Sequence, residues 1–213
     1  FANPERKLIS LNVAAYDAMK HGAVPLQSDA LVGLQELGER LGSYKAPGRI
    51  DGLKPDWFAK VDPLTDAPTG NGLPTDMQVI GAVQRAARED TVVMCAAGTM
   101  PGELHKLWKA GRPGSYHMEY GYSCMGYEIA GGLGIKMAEP DRDVVVMLGD
   151  GSYMMMNSEL ATAVSMGAKI TVVITDNRGF GCINRLQMGT GGAEFNNLLD
   201  HTHHVNPSHI DFV

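Results

Sequence analysis

The chain has 213 residues, of which 44% are hydrophobic and 20% charged, and its formal net charge is −6. This composition is typical of a globular protein with its own core, and the negative balance without Lys/Arg clusters counts against a nucleic-acid surface. The longest apolar runs fall far below the roughly 20 residues of a membrane span. Three widely spaced cysteines favour a reducing, cytoplasmic setting over a disulfide framework.

The first 43 residues have the pattern of one strand followed by one helix. Residues 7–13 are predicted to form a buried strand, and a short extended piece follows near residue 25. Ser28 or Asp29 is suited to cap a helix. Apolar positions then recur at helical spacing: Leu31, Leu34, Leu37 and Leu41. We interpret this zone as the end of an α/β domain whose earlier part lies outside the sequence.

Residues 44–74 carry many of the prolines of the chain among Gly, Asp and Lys. Such a composition is typical of an interdomain connection. We predict one short helix in it, around Trp57.

Residues 75–213 alternate between helical patterns and continuous Val/Ile-rich runs. This alternation predicts an α/β fold in which a parallel sheet is covered by helices on both faces. The predicted strands lie at 91–98, 114–121, 143–150 and 169–177, and the predicted helices at 75–90, 101–111, 125–140 and 157–167. After Gly181 the pattern predicts a loop.

Polar residues follow two neighbouring strands of this zone. One strand opens into Gly149-Asp150-Gly151-Ser152 and the next into Asp176-Asn177, which places Asp150 and Asn177 27 positions apart. Parallel strands end at one edge of a sheet, where ligands bind. A carboxylate, an amide oxygen and a glycine carbonyl suit Mg²⁺, which completes its shell with phosphate oxygens and water. Backbone amides near a helix N-terminus suit those phosphates.

This Gly-Asp-Gly…Asn pattern resembles the signature of the thiamine-diphosphate superfamily that contains decarboxylases and acetohydroxyacid synthases. The resemblance implies that Asp150, the Asn177 side chain and the Gly179 carbonyl bind Mg²⁺. It also implies that Gly149, Gly151 and Ser152 hold the diphosphate. Asp176 stands where the family often has Asn, so we expect its carboxylate to be turned away from the diphosphate or paired.

Two further segments resemble the same superfamily. In residues 121–134, the resemblance implies that Met125 lies under the bent cofactor and that the Ser123 carbonyl accepts from its aminopyrimidine. In residues 95–100, it implies that Gly98 and Thr99 contact the diphosphate. The bent shape would bring the amine of the aminopyrimidine beside the acidic carbon of the thiazolium ring, so that the amine can accept the proton of that carbon.

The resemblance also implies a domain plan. Residues 1–43 correspond to the end of a middle domain, 44–74 to a linker, and 75–213 to a diphosphate-binding domain that is cut short. The amino-terminal domain, with its activating glutamate, would come from a second subunit of a homodimer or homotetramer. We therefore expect this stretch alone to be inactive. Whether a flavin or nucleotide binds the rest of the middle domain stays open.

Within the superfamily, residues 120–134, 149–162 and 176–200 resemble most closely the hydrolases of bacterial inositol catabolism that open a cyclic 1,2-diketone. An acetohydroxyacid synthase-like carboligase or 2-oxoacid decarboxylase is the alternative activity. A regulatory or assembly module that retains the fold is the non-enzymatic alternative. Dinucleotide binding is disfavoured because no Gly-x-Gly-x-x-Gly follows a strand with an acidic residue downstream.

Several other residues allow more than one interpretation. We expect Met154, Met155 and Met156 to serve core packing rather than bind a soft metal. The histidines His201, His203 and His204 suit a solvated loop first, a lid second and a metal site last. The sequence leaves open whether Glu128, Asn184 and Arg185 face substrate or serve their helices.

Overall fold

The computed structural model describes residues 3, 5–45, 52–67, 70 and 72–201. The chain divides into two compact units, residues 1–51 and 52–213. In the part described, no helix is long and apolar enough to cross a membrane. The domain boundaries at residues 43 and 74 stay a prediction.

The first unit contains a two-stranded parallel sheet. Strand β1 (Ile9–Asn12) pairs with β2 (Val24–Gln27) across the short helix α1 (Ala15–Ala18). Helix α2 (Ala30–Leu41) follows, and the Asp29 carboxylate accepts hydrogen bonds from the amides of Leu31 and Val32 at 2.9 and 3.1 Å. Asp29, rather than Ser28, therefore caps this helix.

The second unit is built on a four-stranded parallel sheet in the order β4-β3-β5-β6. Its strands are β3 (Val92–Cys95), β4 (Tyr116–Met118), β5 (Val144–Gly149) and β6 (Thr171–Thr175). Its helices are α3 (Leu53–Val61), α4 (Asp76–Ala86), α5 (Met100–Leu107), α6 (Tyr127–Ala138), α7 (Asp150–Met155), α8 (Glu159–Ser165) and α9 (Gly181–Gly189).

Hydrophobic cores lie on both faces of this sheet. Val93 and Met147 pack with Leu104 of α5 in one core, whereas Met94 and Val146 pack with Ile129 of α6 in the other. Neighbouring residues of one strand thus point to opposite faces, and both faces are apolar because helices cover each of them. The predicted fold class is confirmed.

The predicted helix around Trp57 is α3, and it packs within the second unit. Val61 and Phe58 join the core that contains Ile80. The Trp57 indole donates to the Lys106 carbonyl at 2.8 Å. Part of the proline-rich stretch is therefore folded against α4 and α5.

The loop prediction after Gly181 is wrong, because the chain forms helix α9 there. Its N-cap, Phe180, makes no side-chain hydrogen bond to the first turn, so the usual sequence signal for a helix start is missing. The packing prediction for Met154, Met155 and Met156 is also wrong, since these side chains are 46%, 54% and 51% exposed. They lie at the end of α7, which stops at Met155.

Close packing of α6 on β5 gives a stability prediction. A Cβ on Gly132 would lie 2.3 Å from Val146 Cγ2, whereas a Cβ on Gly134 of the same helix would meet nothing within 4 Å. Gly132→Ala should therefore destabilise the protein by about 1–3 kcal/mol through overpacking. Gly134→Ala should be neutral or stabilise it by up to about 1 kcal/mol. Thermal unfolding of the two variants tests this, and equal melting temperatures would contradict it.

Candidate functional site

A pocket of about 270 Å³ opens at the carboxyl ends of β3, β5 and β6. All ten residues predicted for the site line it: Gly98, Thr99, Ser123, Met125, Gly149, Asp150, Gly151, Ser152, Asn177 and Gly179. The parallel sheet brings them together because β5 and β6 pair in register up to Gly149 and Thr175. Their individual roles stay predictions.

Asp150 is one of the two charged residues that line this pocket in the part of the chain that the structure describes. Its Oδ2 accepts a hydrogen bond from the Gly179 amide at 2.7 Å, while its Oδ1 is buried without a hydrogen-bond partner among the described residues. Burial raises the pKa of Asp150 most strongly, the Gly179 amide lowers it, and the negative charge of Asp176 raises it again. The backbone amides of Asn177 and Gly151 lower this pKa more weakly. A buried carboxylate oxygen without a donor is suited to a cation.

Asn177 and Gly179 line the same pocket as Asp150. The Asn177 side chain lies about 3.1 Å from the position of a Cβ on Gly181, at the start of α9. Gly179 has φ 140°, and a Cβ there would lie 2.4 Å from the Asn197 carbonyl oxygen. Its own carbonyl oxygen lies 3.5 Å from the position of a Cβ on Gly151. Glycine is thus required at 179 by both conformation and space.

Asp176 does not line the pocket and is paired with the backbone. Its side chain is exposed, and Oδ1 accepts from the Arg178 amide at 2.7 Å. This local turn supports the left-handed conformation of Arg178, whose φ is 62°. The expected pairing of Asp176 is confirmed.

Glu128 is a buried carboxylate that joins two pocket loops. Its side chain is 0% exposed. Oε1 accepts from the Ala97 amide at 3.2 Å, and Oε2 accepts from the Gly126 amide at 2.9 Å. Glu128 therefore sits behind the pocket and connects the Gly98 loop to the start of α6. Of its two interpretations, the one in which it faces substrate is wrong.

Glu119 organises the loop that carries Ser123. Its carboxylate accepts from the Tyr122 amide at 3.0 Å and from the Cys124 amide at 2.7 Å. These hydrogen bonds, the Cys124 one most strongly, lower the pKa of Glu119. The loop needs this support because Ser123 has a positive φ of 53°. The sequence contains no recognisable signal for this role.

Met125 lines the pocket. It is followed by Gly126, which has φ 90° and is the N-cap of helix α6. A Cβ on Gly126 would lie 3.0 Å from the Met156 Cβ. The end of α7 thus packs directly against the turn that presents Met125.

Helix α9 supplies an apolar wall that the sequence did not indicate. Ile183 and Leu186 line the pocket beside Phe180 and Cys182. No capped pattern marked this helix, so its contribution was not foreseen.

Asn184 anchors α9 rather than facing the pocket. It is 5% exposed, and its amide donates to the Glu194 carboxylate at 3.0 Å. Asn197 donates to the Gln187 side chain at 2.6 Å. These contacts bind residues 194–197 to the helix.

Arg185 connects helix α9 to Thr99, a residue that lines the pocket. Its Nη2 donates to the Thr99 hydroxyl. Its positive charge lowers the pKa of Asp76, a pocket-lining residue whose burial raises that pKa more strongly. Asp76 was not predicted for the site, because it lies in the first turn of α4.

Of the histidines considered for a loop, a lid or a metal site, only His201 lies within the described residues. His203 and His204 lie outside the described residues, and His201 ends a short 3₁₀ turn (Leu199–His201). Within residues 72–200, no three His, Cys, Asp or Glu side chains are grouped as a metal site. The metal site predicted from the sequence has a different composition, since only one of its three ligands, Asp150, is of these residue types.

A family comparison agrees with this geometry. Residues 96–213 match the model of the thiamine pyrophosphate enzyme C-terminal TPP binding domain. The matched stretch begins at the end of β3 and includes every residue predicted for the pocket.

Similar proteins of known name come from several bacteria. The chain is 39% identical over 213 residues to a 3D-(3,5/4)-trihydroxycyclohexane-1,2-dione hydrolase of Geobacillus thermodenitrificans, covering 89% of this chain and 33% of that protein. The protein of the same name from Bacillus subtilis is 37% identical over 215 residues, covering 89% and 34%. The one from Shouchella clausii is 38% identical over 215 residues, covering 88% and 33%. The chain spans about a third of the length of these relatives.

The buried bridge of Glu128 gives a prediction. Glu128→Gln replaces one acceptor oxygen by an NH₂ group, so either the Ala97 or the Gly126 amide loses its partner. An unpaired buried amide costs about 1–3 kcal/mol. We expect a lower melting temperature and faster hydrogen exchange at residue 97 or residue 126, whichever amide faces the NH₂ group. Glu89→Gln, at an exposed position of the same unit, is the control and should change neither; unchanged exchange at both amides in Glu128→Gln would refute the bridge.

Proposed function

The chain belongs to the thiamine pyrophosphate enzyme family, since its residues 96–213 match the C-terminal TPP binding domain of that family, and on this premise we propose that its pocket binds thiamine diphosphate through Mg²⁺. The observation that carries the proposal is the buried Asp150 Oδ1, which has no hydrogen-bond partner in the described part of the chain. A divalent cation would satisfy it.

The ligand set fits Mg²⁺ rather than a softer metal. The Asp150 carboxylate, the Asn177 amide oxygen and the Gly179 carbonyl are all oxygen donors, and Mg²⁺ prefers few protein oxygens together with phosphate and water. Neither a thiolate nor an imidazole is part of this set. We propose that the diphosphate completes the shell and lies against Gly149, Gly151 and Ser152.

The other end of the pocket suits the rings of the cofactor. We propose that the Ser123 carbonyl accepts a hydrogen bond from the aminopyrimidine and that Met125 supports the bent shape. Glu119 and the Gly126 turn would hold both residues in place. When bound, the cofactor supplies a nucleophilic carbon and an electron sink, and the chain supplies orientation.

We propose that the intact protein hydrolyses a C–C bond of a cyclic 1,2-diketone, opening trihydroxycyclohexane-1,2-dione to 5-deoxyglucuronate. The support is the name shared by relatives that are 37–39% identical along 88–89% of the chain. We also propose that a second subunit completes the site with the glutamate that activates the pyrimidine. The chain on its own would then hold half of the site.

Removing the charge of Asp150 tests the metal assignment. Asp150→Asn keeps an oxygen for the Gly179 amide but loses the carboxylate, so Mg²⁺-dependent affinity for thiamine diphosphate should fall by about 100-fold or more. Titration calorimetry of the intact protein, with and without Mg²⁺, measures this.

The same variant has a second expected property. Since it removes a buried charge with an unpaired oxygen, the metal-free protein should be no less stable than the wild type. Asp141→Asn, at an exposed position, is the matched control and should bind normally. Equal Mg²⁺-dependent affinity in Asp150→Asn and wild type would refute the metal site.

The substrate class is tested on the intact protein. We expect it to convert trihydroxycyclohexane-1,2-dione to a ring-opened acid, with no carbon dioxide or acetolactate formed from pyruvate. Product analysis by mass spectrometry distinguishes the two reactions, and Asp150→Asn should abolish the first. Turnover of pyruvate without diketone hydrolysis would instead support a carboligase or decarboxylase.

A further inference from the structure

The pocket lacks a positive charge of its own. Its charged lining residues are Asp76 and Asp150, and among the described residues that line it none is Lys or Arg. Asp176 adds a nearby negative charge, which acts on Asp150. A diphosphate with one Mg²⁺ would keep about one negative charge at this end of the pocket, and a cation at the rim would stabilise it.

Arg185 is placed to be that cation. It projects from α9, and its Nη2 donates to the hydroxyl of Thr99, a lining residue. A second arginine, Arg178, lies between Asn177 and Gly179 in the sequence, and its Nε is 3.7 Å from Oδ1 of Asp200. Arg185 therefore brings its charge to the β3–α5 loop, whereas Arg178 is directed to a partner elsewhere.

The loop that Arg185 contacts has room for a phosphate group. Gly98 has φ 91°, and no atom lies within 4 Å of the position of a Cβ there. Thr99 precedes α5, but its side chain makes no capping hydrogen bond to that helix. The Thr99 hydroxyl oxygen accepts a hydrogen bond from the guanidinium, so its hydrogen can be donated to a phosphate oxygen.

We propose that Arg185 is the counter-charge for the terminal phosphate of the diphosphate, and that its hydrogen bond to Thr99 holds the guanidinium ready at the pocket mouth. This inference rests on the proposed function, since it requires that the pocket binds thiamine diphosphate. Guanidinium groups match phosphate oxygens with two parallel hydrogen bonds, which a neutral or shorter side chain cannot supply.

A ligand series on the intact protein tests the assignment. Affinities for thiamine diphosphate, thiamine monophosphate and thiamine are measured by calorimetry with Mg²⁺ for wild type, Arg185→Gln and Arg185→Lys. We expect Arg185→Gln to lose about 10- to 100-fold in affinity for the diphosphate alone, the range given by a charge-assisted hydrogen bond. Arg185→Lys should recover part of this loss because it keeps the charge.

Arg112→Gln is the control, because it removes one exposed arginine whose partner is Glu139 on the surface. It should bind all three ligands as the wild type does. An equal loss for all three ligands in Arg185→Gln would overturn the proposal and indicate a structural role. Unchanged diphosphate affinity with a raised KM for substrate would overturn it in favour of a substrate contact.

The two proposals fail in different ways. Wild-type protein that binds no thiamine diphosphate would overturn the proposed function and the Arg185 assignment with it. Wild-type binding together with unchanged binding in Arg185→Gln would overturn the Arg185 assignment alone.

Discussion

The hydrogen bond from the Gly179 amide to the Asp150 carboxylate, 2.7 Å long, holds the ends of β5 and β6 together. It fixes one carboxylate oxygen and leaves the other buried without a partner among the described residues. An arrangement of this kind is unfavourable in the absence of a ligand, because a buried carboxylate has lost its water. The parallel sheet imposes it by pairing Gly149 with Thr175. Binding of a cation would therefore relieve a cost that folding has already incurred.

The walls of the pocket depend on carboxylates that accept hydrogen bonds from backbone amides. Glu119 orders the Ser123 turn, and Glu128 joins the Ala97 and Gly126 amides from a position that solvent does not reach. Each loop on its own would be free to move, because loop backbones have few internal partners. Because the Glu128 carboxylate accepts hydrogen bonds from both loops, it fixes the distance between them. The groups that would contact the cofactor are thus supported by residues that do not touch it.

Much of this architecture could be predicted from the sequence, and the failures have physical causes. The runs that became β3, β5 and β6 were recognisable because strands buried on both faces are continuously apolar. Asp150 and Asn177 were recognisable because parallel strands end at one edge, whereas Ser123, Met125 and Gly179 were identified only by the resemblance to the thiamine-diphosphate superfamily. Helix α9 was missed because it begins without a side-chain cap and is held by contacts with residues 194–197. The role of Glu128 depends on an amide 31 positions away, a distance at which local patterns carry no information.

Helix α9 contributes to the pocket on one side and is attached to the following segment on another. Its Ile183 and Leu186 form part of the pocket wall, while Asn184 and Gln187 attach it to the following segment. Substitutions at 183 and 186 can therefore alter the shape of the pocket while leaving Asp150, Asn177, Gly179 and the supports of the loops unchanged. For directed evolution, this helix is a natural place to diversify, since the pocket could be reshaped there without rebuilding the sheet and the loops that carry its polar residues.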